Sequence, residues 1–287
     1  MEIAKHQSLI DNTLPAVDHP NYRLWSNYAR FAGARGELVL KIISSRGNIA
    51  GKKILDLGCG EGGTAVTLAE NNATVYAVDF KATRIHKLRD KLHESDLEMS
   101  TQVCKAQNLP FNSDFFDGVI LQDVFEHLHD QSTALTEIHR VLKPDGFVYV
   151  STPNRWSPLN FISDPHWNLP LVAILNKQAV AFFILKLVKR ETKFRQDFAG
   201  LLSLRRIRKL FYAHGFSLRF ANTKAAGELF NNPVSVVNSD FHIKLVNLLI
   251  KFRLDKLFKS LVNDRFGLFN YFINPTWYFV ATKKVME

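Results

Sequence analysis

The nonapeptide Ile54-Leu-Asp-Leu-Gly-Cys-Gly-Glu-Gly62 constrains this chain more than any other stretch. Lys53–Gly58 is a short apolar run that reads as a buried strand ending in glycine, and Thr64–Glu70 reads as a helix that follows at once. Glycines between the two let the backbone turn sharply and approach a ligand closely, where a Cβ would collide with it. In an open α/β sheet such a turn lies outside the carboxyl ends of the strands, where ligands bind. Gly58, Gly60 and Gly63 keep a G-x-G-x-x-G spacing. Asp79 stands 19 residues after Gly60, at the end of a second strand, where a carboxylate can accept both hydroxyls of a ribose.

The same alternation continues along the first half. Residues 22–46 carry apolar positions at helical spacing (Leu24, Tyr28, Phe31, Leu38, Ile42) and read as leading helices. Thr74–Asp79, Met99–Cys104, Gly118–Gln122 and Gly146–Ser151 read as strands, Ala82–His93 and Ser132–Leu142 as helices. Strands separated by helix-length segments form βαβ units and a parallel sheet. The rhythm breaks after Ser151, resumes in a helix over Ser203–His214 and a strand over Phe216–Phe220, and ends in a strand over Thr276–Thr282. The expected fold class is α/β: a Rossmann-like, mostly parallel sheet with helices on both faces, an antiparallel last strand, and a helical cap made by insertions. The corresponding division is N-terminal helices over 1–49, a core over 50–152 with 203–221 and 276–284, and the cap over 153–202 and 222–275.

Asp56 lies inside the first strand, just before the glycine turn. A carboxylate at a buried strand end is costly without a partner. The ammonium of a methionine moiety would supply one, while the pyrophosphate of a dinucleotide would be repelled. Glycine spacing alone leaves an NAD enzyme open; Asp56 weighs against it.

Five segments in order carry a family resemblance: ILDLGCGEG, VYAVD, NLPFNSDFFDGVI, FEHL and LKPDGFVYVSTPN. Together they resemble the small-molecule branch of the class I S-adenosylmethionine-dependent methyltransferases, over about residues 50–155. The resemblance implies S-adenosylmethionine as cofactor. It implies that Asp56, Gly58 and Gly60 line the methionine end, that Asp79 holds the ribose, and that Phe80 packs on the adenine with Ala106 and Gln107 on its other side. Gln122 would meet the amino-acid portion through its backbone. The chain departs from the pattern at Lys105, where the family often places an acid that accepts from the adenine amino group; a lysine cannot accept.

Methyl transfer from a sulfonium is a direct displacement that mainly needs alignment and exclusion of water. A general base is needed only where the acceptor loses a proton. Asp123-Val-Phe-Glu-His127 resembles the acid-x-x-Glu-His segment of quinone-biosynthesis O-methyltransferases, whose side chains are associated with a divalent metal. Asp123, Glu126 and His127 would then hold Mg²⁺ and lower the pKa of a phenol. Without metal, His127 would take the proton; Glu126, and His166 in the inserted cap, are further catalytic candidates. Against these readings stand ordinary ones, in which the histidines cap or pack. Ser151-Thr-Pro-Asn154 shapes the loop, with Arg155 at the rim.

Composition divides the chain. Residues 1–150 hold 16 basic and 19 acidic side chains, and residues 151–287 hold 21 and 8, so the whole net charge of +10 arises in the second half. Such a half suits an anionic partner. Phe241 to Val262 has apolar residues at helical spacing with Lys244, Lys251, Lys256 and Lys259 largely off that stripe, and the Phe-rich run 181–188 is followed by Lys189 and Arg190. Such helices can lie in an anionic membrane surface; the alternative is packing onto the sheet or onto a second subunit. The basic residues form no compact patch or RNA module, which argues against nucleic acid. Two cysteines and a start without a secretory pattern point to the cytoplasm, with peripheral attachment to the inner membrane face left open. The expected reaction is O-methylation of a small-molecule or lipid-like acceptor, such as a prenylated phenol or lipid-linked glycan. The rivals are a soluble enzyme tailoring sugars or secondary metabolites, and a catalytically silent scaffold. Nothing in the sequence speaks to oligomeric state.

Overall fold

The computed structural model describes residues 31–167, 169–187, 199–237 and 240–284. Seven strands form one sheet: β1 (Lys53–Leu57), β2 (Thr74–Asp79), β3 (Ser100–Val103), β4 (Phe116–Gln122), β5 (Leu142–Pro153), β6 (Phe216–Phe220) and β7 (Thr276–Lys283). Their order is β3-β2-β1-β4-β5-β7-β6, with β7 antiparallel to both of its neighbours and the other pairings parallel. β1 therefore sits between β2 and β4, and the chain reverses its direction of travel across the sheet there. That is the switch point at which open α/β sheets bind ligands.

Period-two alternation sends successive residues of each strand to opposite faces. Leu55 and Leu57 join one apolar cluster, under α4 (Gln131–Val141) and α7 (Leu204–Ala213). Ile54, Val75 and Ala77 join the other, under α1 (Ala32–Ile43), α2 (Gly63–Glu70) and α3 (Ala82–His93). The leading helix expected over 22–46 is α1 with a 3₁₀ turn over Ser44–Arg46; residues 22–30 lie outside the described residues. β5 begins earlier than expected, because Leu142 already pairs with Phe116 before the register shifts between Phe116 and Gly118.

The first insertion carries α5 (Pro158–Ile162), a 3₁₀ turn (Val172–Ile174) and α6 (Lys177–Phe182), which runs into a π turn, Phe183–Leu187. It has a small core of its own around Trp167, Val172, Val180 and Ile184. The second insertion carries α8 (Asn222–Asn231), α9 (Asp240–Lys251), α10 (Asp255–Leu261) and a π turn, Phe269–Ile273. α8 contributes Ala225 to the core beneath α1, and its Glu228 pairs with Lys41 at 2.7 Å. The single helical stripe expected over 241–262 is broken. Arg253 adopts φ +57°, Leu254 N–H donates to Leu249 C=O and Arg253 N–H to Ile250 C=O. That is a Schellman ending, usually built on glycine, which gave no glycine signal to read. The two insertions meet at Asn154, whose amide donates to the carbonyls of Asn274 (2.8 Å), Tyr271 (3.3 Å) and Asn270 (3.5 Å). No helix among the described residues is long and apolar enough to cross a membrane.

Candidate active site

Asp56 is held in the middle of the sheet, in register with Ala77 on β2 and Ile120 on β4. It is 2% exposed, and its Oδ2 has no hydrogen-bond partner among the described residues. Burial, and next the nearby Asp79 carboxylate, push its pKa up to about 7, against which one backbone bond from Ala65 works. Beyond it the chain turns. The N–H groups of Gly58 and Cys59 both donate to Val78 C=O, at 2.7 and 3.0 Å, which closes the loop onto β2. Gly58 has φ +79°, and a Cβ there would stand 2.7 Å from the Val124 side chain. Gly60 has φ +57°, yet nothing lies within 4 Å of where its Cβ would be. The loop is thus compressed at Gly58 and open above Gly60.

Asp79 ends β2, almost fully buried. Its Oδ2 accepts from Gly60 N–H at 3.1 Å and from Arg84 Nη1 at 3.2 Å, its Oδ1 from Lys81 N–H at 2.9 Å. The carboxylate expected to meet a ribose is therefore already shared with a side chain, Arg84, that sequence reasoning did not single out. Phe80 beside it is 51% exposed and presents its ring to solvent, with the Lys81 ammonium 5.4 Å from its centroid. Ala106 is buried in a tight turn that Lys105 and Asn108 close, and Gln107 Nε2 donates to Asp130 C=O at 3.3 Å.

The end of β4 forms the floor. The Gln122 side chain accepts from the Thr64 hydroxyl and donates to Arg35 C=O at 3.5 Å. Asp123, at φ +53°, receives the Ser151 hydroxyl at 2.8 Å and forms an ion pair with Arg35. Arg35 comes from α1, which the sequence marked only as a leading helix.

Just beyond lies a second group. Glu126 is buried in the 3₁₀ turn Phe125–His127, and its Oε2 accepts from the Thr152 hydroxyl at 2.9 Å. His166 enters from the first insertion, Nε2 3.6 Å from Glu126 Oε1 and Nδ1 3.8 Å from Asp164 Oδ1. Its ring stands edge-on to that of His127, centroids 4.9 Å apart. Asp164 Oδ1 also accepts from the N–H groups of His166 and Trp167, at 2.8 and 3.0 Å, which fixes the loop that delivers the imidazole. Lys177 Nζ donates to His127 C=O at 2.8 Å and Gly200 N–H to Glu126 C=O at 3.1 Å, so the insertion grips the turn from several sides. Glu126, His127 and His166 come together; Asp123 does not join them, because Arg35 and Ser151 hold its carboxylate.

Residues 55–150 match the family described as "Methyltransferase domain". Over those residues the chain is similar to that family, and the strand order and the glycine turn agree with the likeness. Among curated proteins the chain is 30% identical over 161 residues to the ubiquinone biosynthesis O-methyltransferase of Pseudomonas aeruginosa, 54% of this chain and 63% of the relative. The matched region is thus less than two thirds of that relative's length. Among solved structures, an S-adenosylmethionine dependent methyltransferase from Mesorhizobium loti superposes with a TM-score of 0.55 at 13% identity, covering 85% of this chain and 96% of the other. The magnesium protoporphyrin IX methyltransferase from Synechocystis, solved with bound SAH, gives 0.52 at 14% identity, covering 99% and 94%. At these identities the structures speak for the fold.

The site also uses side chains to which sequence reasoning gave no role in it. Thr64, Arg35 and Ser151 fix the floor, Arg84 guards Asp79, and Thr152 and Asp164 orient Glu126 and His166. The one available signal was positional: Ser151 and Thr152 stand near the end of a buried strand, where a hydroxyl has to find a partner.

Proposed function

We propose that this chain transfers the methyl group of S-adenosylmethionine to an oxygen of an amphiphilic acceptor, a phenol bearing an apolar tail being the favoured class. One observation carries the reading: a buried carboxylate oxygen of Asp56 without a partner among the described residues, beneath a glycine whose side-chain direction is open. A cationic amino group on a ligand lying across Gly60 satisfies both. Bound there, the cofactor supplies an electrophilic methyl carbon. Asp56 binds the ammonium, Asp79 accepts from the ribose once Arg84 yields its place, and the exposed Phe80 ring gives the adenine a stacking face. We assign activation of the acceptor hydroxyl to the group formed beyond β4 by Glu126, His127 and His166.

The acceptor class rests on the named activity of the curated relatives and on the surface of the insertions. Leu159, Ile162 and Leu171 of the first insertion are more than half exposed, as are Phe252, Leu257 and Leu268 of the second. An apolar rim on the basic half of the chain suits a tailed acceptor taken from an anionic membrane surface.

The test is calorimetric titration with S-adenosylhomocysteine, wild type against Asp56→Ala. Micromolar binding lost in the variant supports the site; no binding by the wild type turns the reading to a silent scaffold. Methylation assays with one phenol, with and without a prenyl tail, then read the acceptor class. Preference for the untailed phenol, together with no co-sedimentation with anionic liposomes, would favour soluble tailoring.

A further inference from the structure

The resemblance to quinone-biosynthesis enzymes implies Mg²⁺ on Asp123, Glu126 and His127, and that set does not assemble. Asp123 is committed to Arg35 and to the Ser151 hydroxyl. The donors that do converge are a carboxylate oxygen of Glu126 and one imidazole nitrogen each from His127 and His166, all within 4.8 Å of one another. The third donor thus comes from the first insertion and not from the sheet. Two imidazoles and one carboxylate make a poor Mg²⁺ site, because that ion takes oxygen ligands and keeps most of its waters. They make a good site for Zn²⁺ or Co²⁺, which accept imidazole readily and are held by three protein ligands where one position stays open.

The surroundings fit such a use. A histidine ligand is normally oriented by a carboxylate or carbonyl at its other ring nitrogen. Asp164 Oδ1 stands 3.8 Å from His166 Nδ1, while Nε2 is turned to Glu126. The second oxygen of Glu126 is fixed by Thr152 at 2.9 Å. Bonds of about 2.1 Å in tetrahedral geometry place ligand atoms roughly 3.4 Å apart. The Glu126–His166 separation of 3.6 Å is already close to that, and a pair at the 4.8 Å bound has to close by roughly 1.4 Å.

We propose that Glu126, His127 and His166 bind a divalent transition ion of the Zn²⁺ class, not Mg²⁺, and that the ion fastens the first insertion to the end of β4. The proposal is separate from methyl transfer, since uptake is measured with neither cofactor nor acceptor present. Full-length protein stripped with a chelator is titrated with ZnCl₂ by calorimetry, with CoCl₂ by visible absorption, and with MgCl₂ as the contrast. The expected result is one equivalent of Zn²⁺ and of Co²⁺ and no response to Mg²⁺. His166→Asn should weaken uptake by about 100-fold or more, whereas Asp123→Asn should leave it within about threefold. X-ray absorption of the Zn²⁺-loaded wild type should count two imidazoles, a readout that does not depend on any variant folding. Absence of stoichiometric uptake by the wild type overturns the proposal. So does an imidazole count below two, or uptake that survives His166→Asn and is lost in Asp123→Asn.

Discussion

The loop at 58–62 and the junction at 154 both hold chain segments against the carboxyl end of the sheet, by opposite means. The loop is a backbone device: Gly58 and Cys59 donate to one carbonyl on β2, and glycine geometry does the rest. The junction is a side-chain device. Asn154 is fully buried, donates to three carbonyls of the second insertion and receives Trp156 N–H at 2.9 Å, while Asn160 donates to its carbonyl at 2.8 Å. Asn270 adds Trp277 Nε1–H at 2.7 Å and the Asn222 amide at 3.1 Å. A backbone device leaves its surroundings free to be a binding site; a buried amide knot consumes every donor it has. The difference separates where this protein receives a ligand from where it anchors its own insertions.

Substitutions can break that contrast, beginning with the knot. Asn154→Ala takes its partner from the carbonyls of Tyr271 and Asn274 and from Trp156 N–H, each worth about 1–3 kcal/mol when left unsatisfied, so thermal unfolding should show a loss of roughly 3 kcal/mol or more. If the melting temperature holds, the knot is not what anchors the insertions. On the loop side, Asp56→Ala should cost no stability at neutral pH, since it removes a buried carboxyl without a partner for one oxygen, and should cost cofactor affinity about 1.5–3 kcal/mol, read by the same calorimetric titration as a tenfold or greater loss. Equal losses of stability in both variants would erase the distinction.

pH sharpens it further. Because burial raises the Asp56 carboxyl from 3.8 to about 7, its contribution to stability is fully present below pH 3.8 and is lost as pH rises from there through about 7. Affinity for a ligand carrying an ammonium runs the other way, falling toward tenfold per pH unit below about 7; Asp56→Asn should flatten that profile. The smallest effect is expected on the outer helices. Phe252→Ser should change stability by no more than about 0.5 kcal/mol and still reduce co-sedimentation with anionic liposomes. A larger stability loss would mean that the exposed ring packs on protein.

The half of the molecule that binds through backbone was legible from sequence, because glycine spacing and period-two strands are written into residue type. Asp56 could be singled out since a carboxylate inside an apolar strand has to be explained. The side-chain half was not legible. Nothing in the string SDPHW brings His166 to Glu126, forty positions earlier; the folded insertion does. Asp123 looked like a metal ligand until Arg35 arrived from α1. The break at Arg253 was invisible because the residue in the left-handed conformation is neither glycine nor asparagine.

The junction at Asn154 has a consequence for assembly. Its partners lie 116 to 120 residues further along the chain, and β5 completes its pairing only with β7. The parallel strands β1 to β5 can come together as they emerge during synthesis, but the junction at Asn154 cannot close until residues 270–283 have been made. Contacts of such long range form late and slowly. The junction of the two insertions is therefore the last part of the molecule to take shape, after the glycine loop is in place.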